Sequence, residues 1–306
     1  SHLGGVFILV LPYKDNKHLS IYRNIKSQDE FIVRILRFFI VTLQMFRHAD
    51  MFAQRRYVAK ADARPCPYTS LIKETTQGKM KIALIVAMDK EFVQLRSLLE
   101  NEKVETHRNL TFVTGSIGTN DLVLLQCGIG KVNSTIGAVE TITRYAPQLV
   151  ISTGVAGGAD VEMNPLEVVV GTHYAYHDLY CGTDVAYGQL PGLPPHFDAA
   201  AEMVSRALSI KGETPIHGGL IVSGDWFVDS KEKMRSILEH FPKAKAVDME
   251  SCSIAHTCYR YQTPFVSFRI ISDVPLKDEK AAQYFDFWER MANGSFAVVS
   301  QFVQSL

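Results

Sequence analysis

The chain of 306 residues lacks most of the features that fix a protein's class at a glance. It has no excess of either charge, since 32 Lys and Arg balance 32 Asp and Glu. A zero balance leaves no electrostatic footprint for nucleic acid, so no nucleic-acid partner is expected. Cysteine is scarce, five residues, an odd count with no C-x-x-C spacing. That excludes a thiolate zinc site and a disulfide framework, and scattered reduced thiols fit a cytoplasmic protein. No apolar run reaches the roughly 20 residues of a spanning helix. The closest, Phe31 to Phe46, is interrupted by Arg34 and Arg37, and no membrane partner is expected. Internal repeats and low-complexity tracts are missing too, and with them the case for a solenoid or a disordered tail.

The neutral total hides two unlike parts. Residues 1–79 carry 13 Lys and Arg against 6 Asp and Glu, a balance of +7, and residues 80–306 carry −7. The first part reads poorly as a domain: one apolar run, a basic apolar stretch over 31–46, then Arg-rich and Pro-rich text. The opening Ser1-His2, with no initiating Met, reads as a cloning remnant. The stretch 31–46 has two readings, a helix for a membrane surface or partner, and an upstream extension outside the working domain. The second is preferred.

From Met80 onward the text alternates. Lys81 to Ala87 is a short, almost wholly apolar run, the mark of a doubly covered strand. Asp89-Lys90-Glu91 then opens a helical pattern to Leu99. Strand-like runs recur at 110–117, 121–127, 149–153, 166–172, 219–222 and 264–271. Helix-like runs fall at 131–145, 199–210, 230–240, 250–262 and 280–304. This alternation predicts an α/β fold, a three-layer αβα sandwich on a mixed, largely parallel central sheet.

In open α/β sheets ligands bind beyond the carboxyl ends of strands, so residues that follow apolar runs are the informative ones. Glu91 follows the first run, as a general base on water or as an ordinary acidic first turn. Gly128-Ile129-Gly130-Lys131 resembles half of a dinucleotide fingerprint, but Asn133 stands where the third glycine would be, so a tight turn is the simpler reading. Thr153-Gly154-Val155-Ala156-Gly157-Gly158 reads as a small-residue turn that lets backbone N–H groups approach a ligand oxygen. Ser223-Gly224-Asp225-Trp226-Phe227-Val228 sets two aromatics beside a turn, for stacking a flat base or for core packing. Glu250 opens a helical pattern and Asp273 closes an apolar run, as functional acids or as caps.

Taken in order, these segments resemble the 5′-methylthioadenosine/S-adenosylhomocysteine nucleosidases of the nucleoside phosphorylase superfamily. The matching text is MKIALIVAMDKE at 80–91, CGIGKVNS at 127–134, STGVAGG at 152–158 and YHD at 176–178. It continues with YGQLPGLP at 187–194, SGDWFV at 223–228, AVDMES at 246–251 and PFVSFRIISDV at 264–274. The resemblance covers 80–306 and none of 1–79, so 80–306 is expected to be the nucleosidase domain.

The resemblance implies hydrolysis of the N-glycosidic bond of an adenine nucleoside carrying a 5′-thio group, without metal or other cofactor, by a homodimer. Glu91 is then the base that activates water, Asp273 the acid at adenine N7, and Arg269 the group that orients Glu91 and the water. Glu250 would hold the ribose hydroxyls with Met249 against the sugar. Phe227 would stack on adenine, and the Val228 backbone would read its edge. Met88, Ile129 and Phe285 match pocket-lining positions, and Ala156 and Gly157 lie in the small-residue turn. Asp273 must spend part of the cycle protonated, which calls for a raised pKa. The sequence departs from the family's pattern at Val155, where Ser is common, at Asp248, where Glu is usual, and in a short stretch over 179–186. Two other readings remain: a phosphate-dependent purine nucleoside phosphorylase, and a nucleoside-binding protein without catalysis. A nicotinamide-dependent dehydrogenase would rest on Gly128-Ile129-Gly130 alone.

Overall fold

The computed structural model describes residues 79–277, residue 287 and residues 296–306. The readings made for 31–46, for Phe285 and for most of the helix-like run 280–304 lie outside the described residues.

The apolar run after Met80 forms β1 (Lys81–Val86), and all but its first residue is buried. Four charge-rich or apolar segments then follow as α1 (Asp89–Arg96), β2 (Glu100–His107), β3 (Leu110–Ile117) and β4 (Asn120–Gln126). The chain continues through α2 (Lys131–Tyr145), β5 (Leu149–Gly158), β6 (Val168–Tyr176) and the two-residue β7 (Phe197–Asp198). It goes on with α3 (Ala201–Leu208), β8 (Ile216–Ser223), α4 (Lys231–His240) and β9 (Ala244–Asp248). The last elements are α5 (Ser251–Tyr261), β10 (Phe265–Asp273) and α6 (Ala297–Gln304). The architecture is the α/β one expected, helices packed on a mixed sheet.

Parallel pairing is concentrated at the centre, where β4, β1, β5 and β10 lie side by side in one direction. Antiparallel β3 and β2 extend the sheet beyond β4. The other half curls back on itself. β10 pairs with β6, β6 with β8, β8 with β9, and β9 returns to β5 through Gly157 opposite Val247 and Gly158 opposite Ala246. Five strands therefore close a ring, and closure brings the late residues of β5 against the late residues of β9.

Three strands, β2, β7 and β9, fall outside the strand-like runs read from the sequence, and so does the later half of β5. In β2, seven of eight residues are exposed (ENEKVETH), because it is the outer strand of the sheet and has no apolar face to alternate. Charge on an exposed edge discourages pairing with other chains. The segment Thr153–Gly158, read above as a turn, continues β5 as extended chain. Its small residues are needed for crowding. A Cβ on Gly158 would come within 3.0 Å of Val274 Cγ2, and one on Gly157 within 3.2 Å of Val247 Cγ1.

The start of β1 is pinned by a buried amide. Asn120 Oδ1 accepts from Met80 N (3.0 Å), and Asn120 Nδ2 donates to the Val303 carbonyl (2.9 Å), tying β1, β4 and α6 together. Below the site, Leu84, Ile151 and Phe268 of β1, β5 and β10 are fully buried in one apolar core.

Candidate active site

The carboxyl ends of β4, β1, β5 and β10 lie on one edge, and the ring brings the end of β9 to them. Glu91 sits in the first turn of α1 and is 2% exposed. Its Oε2 accepts from Ala87 N (3.1 Å) and Met88 N (2.9 Å), and its Oε1 accepts from Val155 N (3.0 Å). The carboxylate thus closes the helix start and also turns inward onto β5. Burial raises its pKa above the usual carboxylate range, and the three amides and Arg269 offset this only in part.

Arg269, also 2% exposed, rises from β10 opposite Gly154 of β5. Its Nε donates to Asp248 Oδ2 (2.5 Å) and to Ser251 Oγ (3.0 Å), and its Nη2 donates to Ser152 Oγ (2.9 Å). Nη2 also lies 3.9 Å from Glu250 Oε2. Burial works against its charge, yet Asp248, Glu250 and Glu91 hold its proton more firmly than usual.

Asp248 ends β9 and is the most heavily bonded acid of the group. It accepts from Ser223 Oγ (2.5 Å), Ser251 Oγ (2.5 Å) and the Ser251 amide (3.1 Å) besides Arg269. It thereby serves the amino end of α5. Glu250, the residue just before that helix, makes no cap with its side chain. Its Oε1 instead accepts from Gly130 N (2.9 Å) in the turn after β4. Glu250 thus stands at the helix start, with its carboxylate turned toward the glycine turn. Burial first, then the Asp248 charge, push Glu250 up to about 7.

Asp273, at the end of β10, is half-buried beside Gly157, and Ser272 Oγ donates to its Oδ1 (2.6 Å). Ala156 is buried and its carbonyl accepts from Ser272 Oγ (3.2 Å), so the β5 segment supports the acid's neighbour. Met249 and Met88 are half-buried, and Val228 packs partly against the core under β8. Ile129 and Phe227 stand out from the protein, 52% and 64% exposed. Direct contacts thus join Arg269, Asp248, Glu250 and Gly130, and Val155 to Glu91, with the Arg269 charge acting on Glu91, while Phe227 lies at the rim and Phe285 falls outside the described residues. Among the described residues, no group of three His, Cys, Asp or Glu side chains is placed to hold a metal ion.

Asp248 is the residue that reading the sequence undervalued. It looked like a mild replacement, yet it is the direct partner of Arg269, the one buried arginine among the described residues. The available signal was Asp248 followed three residues later by Ser251 at a helix start, the spacing of a side chain that accepts from a first-turn amide. The serines at 152, 223 and 251 carried no signal, because hydroxyls that hold a buried ion pair look like any others.

A buried acid on a strand-following helix thus faces the carboxyl ends of a mixed sheet, where open α/β sheets bind ligands. Residues 81–304 match the model of the phosphorylase superfamily. A 5′-methylthioadenosine/S-adenosylhomocysteine nucleosidase of an Exiguobacterium species is 41% identical over 212 residues, 68% of this chain and 90% of the relative. One from Bacillus subtilis is 35% identical over 231 residues, 74% of this chain and 100% of the relative. The crystal structure of the Neisseria meningitidis nucleosidase with methylthio-immucillin-A superposes with a TM-score of 0.70 at 35% identity, over 74% of this chain and 100% of that one. The chain belongs to the 5′-methylthioadenosine/S-adenosylhomocysteine nucleosidase family of the phosphorylase superfamily.

Gly154 tests this geometry. A Cβ there would lie 2.6 Å from Glu91 Oε1 and 2.8 Å from Arg269 Nη1. Gly154→Ala is expected to keep the fold, seen by circular dichroism, and to lose at least about 10²-fold in kcat, as misplaced catalytic groups do.

Proposed function

We propose that the chain hydrolyses the N-glycosidic bond of 5′-methylthioadenosine, S-adenosylhomocysteine or related adenine nucleosides and releases adenine. The observation that carries this reading is Glu91, a buried carboxylate with a raised pKa on the edge where four parallel strands end. Glu91 takes a proton from water as the water oxygen bonds to the anomeric carbon. The bond from that carbon to adenine breaks, its electron pair goes to the base, and Asp273 supplies a proton at adenine N7. Developing positive charge on the ribose is stabilised by the neighbouring carboxylates. Glu250 holds the ribose hydroxyls with Met249 on the sugar, Phe227 stacks on adenine, and the Val228 backbone meets its edge. Met88, Ile129, Ala156, Gly157 and Phe285 line the pocket, and Arg269 orients Glu91.

The charge around the site favours water over phosphate. Arg269 is engaged by Asp248, Ser251 and Ser152, and three carboxylates crowd round that one guanidinium. A phosphate dianion would meet acids where a phosphorylase needs spare cations. Adenine release from methylthioadenosine is expected without phosphate, with no ribose 1-phosphate by chromatography. Glu91→Gln and Asp273→Asn are each expected to lower kcat about 10² to 10⁴-fold. A base must be deprotonated to act, so kcat/KM falls as pH drops through its pKa. The acidic limb is expected to have its midpoint above 4.5, the ordinary value for Glu91.

The catalytic domain in this reading is 80–306, in the cytoplasm, with 1–79 not needed for the chemistry. No helix among the described residues is long and apolar enough to cross a membrane. A chain starting at Met80 is expected to release adenine at the full-length rate.

The working form is a homodimer. Ile129, Val132 and Ile136, on the turn and first two turns of α2, are 52%, 68% and 50% exposed. They adjoin a cleft of about 280 Å³ lined by Lys131, Tyr176, Leu179 and Leu190. An apolar stripe of this kind fits a second copy. Light scattering is expected to give a dimer, and Val132→Glu a monomer.

A further inference from the structure

Between the glycine turn and the aromatic loop lies a polar cluster to which the reaction above gives no role. Lys131 N donates to Asp225 Oδ1 (2.8 Å), and Lys131 Nζ bonds Asp178 Oδ2 (2.6 Å) with Asp225 Oδ2 at 3.7 Å. Asp225 N in turn donates to the same Asp178 Oδ2 (2.8 Å). The three residues come from α2, from the loop after β6, and from the loop after β8. Each side chain or amide in the triangle touches both others.

Two glycines allow the approach. A Cβ on Gly224 would fall 2.5 Å from His177 Cε1 and 2.7 Å from Asp178 Cγ, so the aromatic loop is pressed flat on the His177-Asp178 pair. Gly130 has φ 96°, in the left-handed region, and a Cβ on it would lie 2.9 Å from Asp225 Oδ1. The consecutive amides of Gly130 and Lys131 therefore serve two different acids. Gly130 N goes to Glu250, the ribose acid, and Lys131 N goes to Asp225, one residue before Trp226 and two before Phe227.

Asp178 Oδ1 is buried without a hydrogen-bond partner, as are both ring nitrogens of His177, which lies edge-on to Trp226 at 5.5 Å. Buried polar atoms left unpaired cost free energy, and where a fold tolerates them a functional demand is the usual cause.

We propose that Lys131, Asp178 and Asp225 form a latch that fixes the aromatic loop to the glycine turn, so that the base-stacking and ribose-holding sides of the site move as one body. Lys131 and Asp178 are positioning residues: they act through Phe227 and Glu250. This rests on the nucleosidase reading above.

The test is steady-state adenine release from methylthioadenosine by the full chain and by Lys131→Met, Asp178→Ala and Lys131→Arg. Loss of a charge-assisted hydrogen bond predicts a KM raised about tenfold or more in Lys131→Met and Asp178→Ala. The fall in kcat is expected to be smaller than the rise in KM, and Lys131→Arg is expected to recover most of the loss. If Asp178→Ala does not fold, Lys131→Met carries the test, since that side chain is 26% exposed. Folded Lys131→Met with KM within about twofold of the parent overturns the latch, as does Lys131→Arg no better than Lys131→Met. A fall in kcat with KM unchanged also overturns it. A parent chain that releases no adenine at all overturns the nucleosidase reading instead.

Discussion

The site depends on one buried ion pair, Arg269 with Asp248. Neither group could be buried alone, because an unpaired charge in the interior costs several kcal/mol. Together, with serine hydroxyls completing their hydrogen bonds, they form a rigid polar centre between β9 and β10. The pair fixes the neighbouring charges as well. Glu91 and Glu250 both feel the same guanidinium, and each is bonded to a backbone amide, Glu91 to Val155 of β5 and Glu250 to Gly130 after β4. Burial raises both pKa values, and the Arg269 charge offsets this only in part.

Ring closure gives this centre its place. An open sheet would leave β9 far from β5, and Asp248 far from Arg269. Folding β10, β6, β8 and β9 back onto β5 brings the end of β9 beside Gly157, where a larger side chain would be blocked by Val247. The small residues over 153–158 thus act in two ways, giving room for the strand crossing and, at Gly154, for the Glu91 and Arg269 side chains on its open face. They looked like a ligand-binding turn in the sequence, and the extended conformation follows from partners on both sides.

Much of the α/β framework was legible because buried parallel strands are short apolar runs, and Lys81–Val86, Leu149–Ser152 and Phe265–Ile271 are all of that kind. The hairpin of β3 and β4 was legible from Gly118, which adopts φ 58° at the turn. β2 was not, since an outer strand without a buried face has no alternation to read. Of the candidate site, Glu91 and Asp273 stood out because each follows an apolar run, and Glu250 because it opens a helical pattern. What stayed hidden were relations between distant residues: that Glu250 bonds Gly130 and not its own helix, that Asp248 and not Glu250 serves α5, and that Lys131 reaches Asp178. Such relations arise from the crossing of chain segments and leave no trace in local spacing.

The same topology has a consequence for how the protein behaves in a crowd. A sheet usually has two open edges, each a row of unpaired amides and carbonyls that invites a stranger's strand. Here the closed half has turned one edge inward, and the other is β2, with Glu100, Glu102, Lys103 and Glu105 along its length. Neighbouring chains meet mixed charge at that border, which discourages strand pairing there. The least apolar strand of the domain, easily passed over as a loop, is the one that keeps the sheet finite.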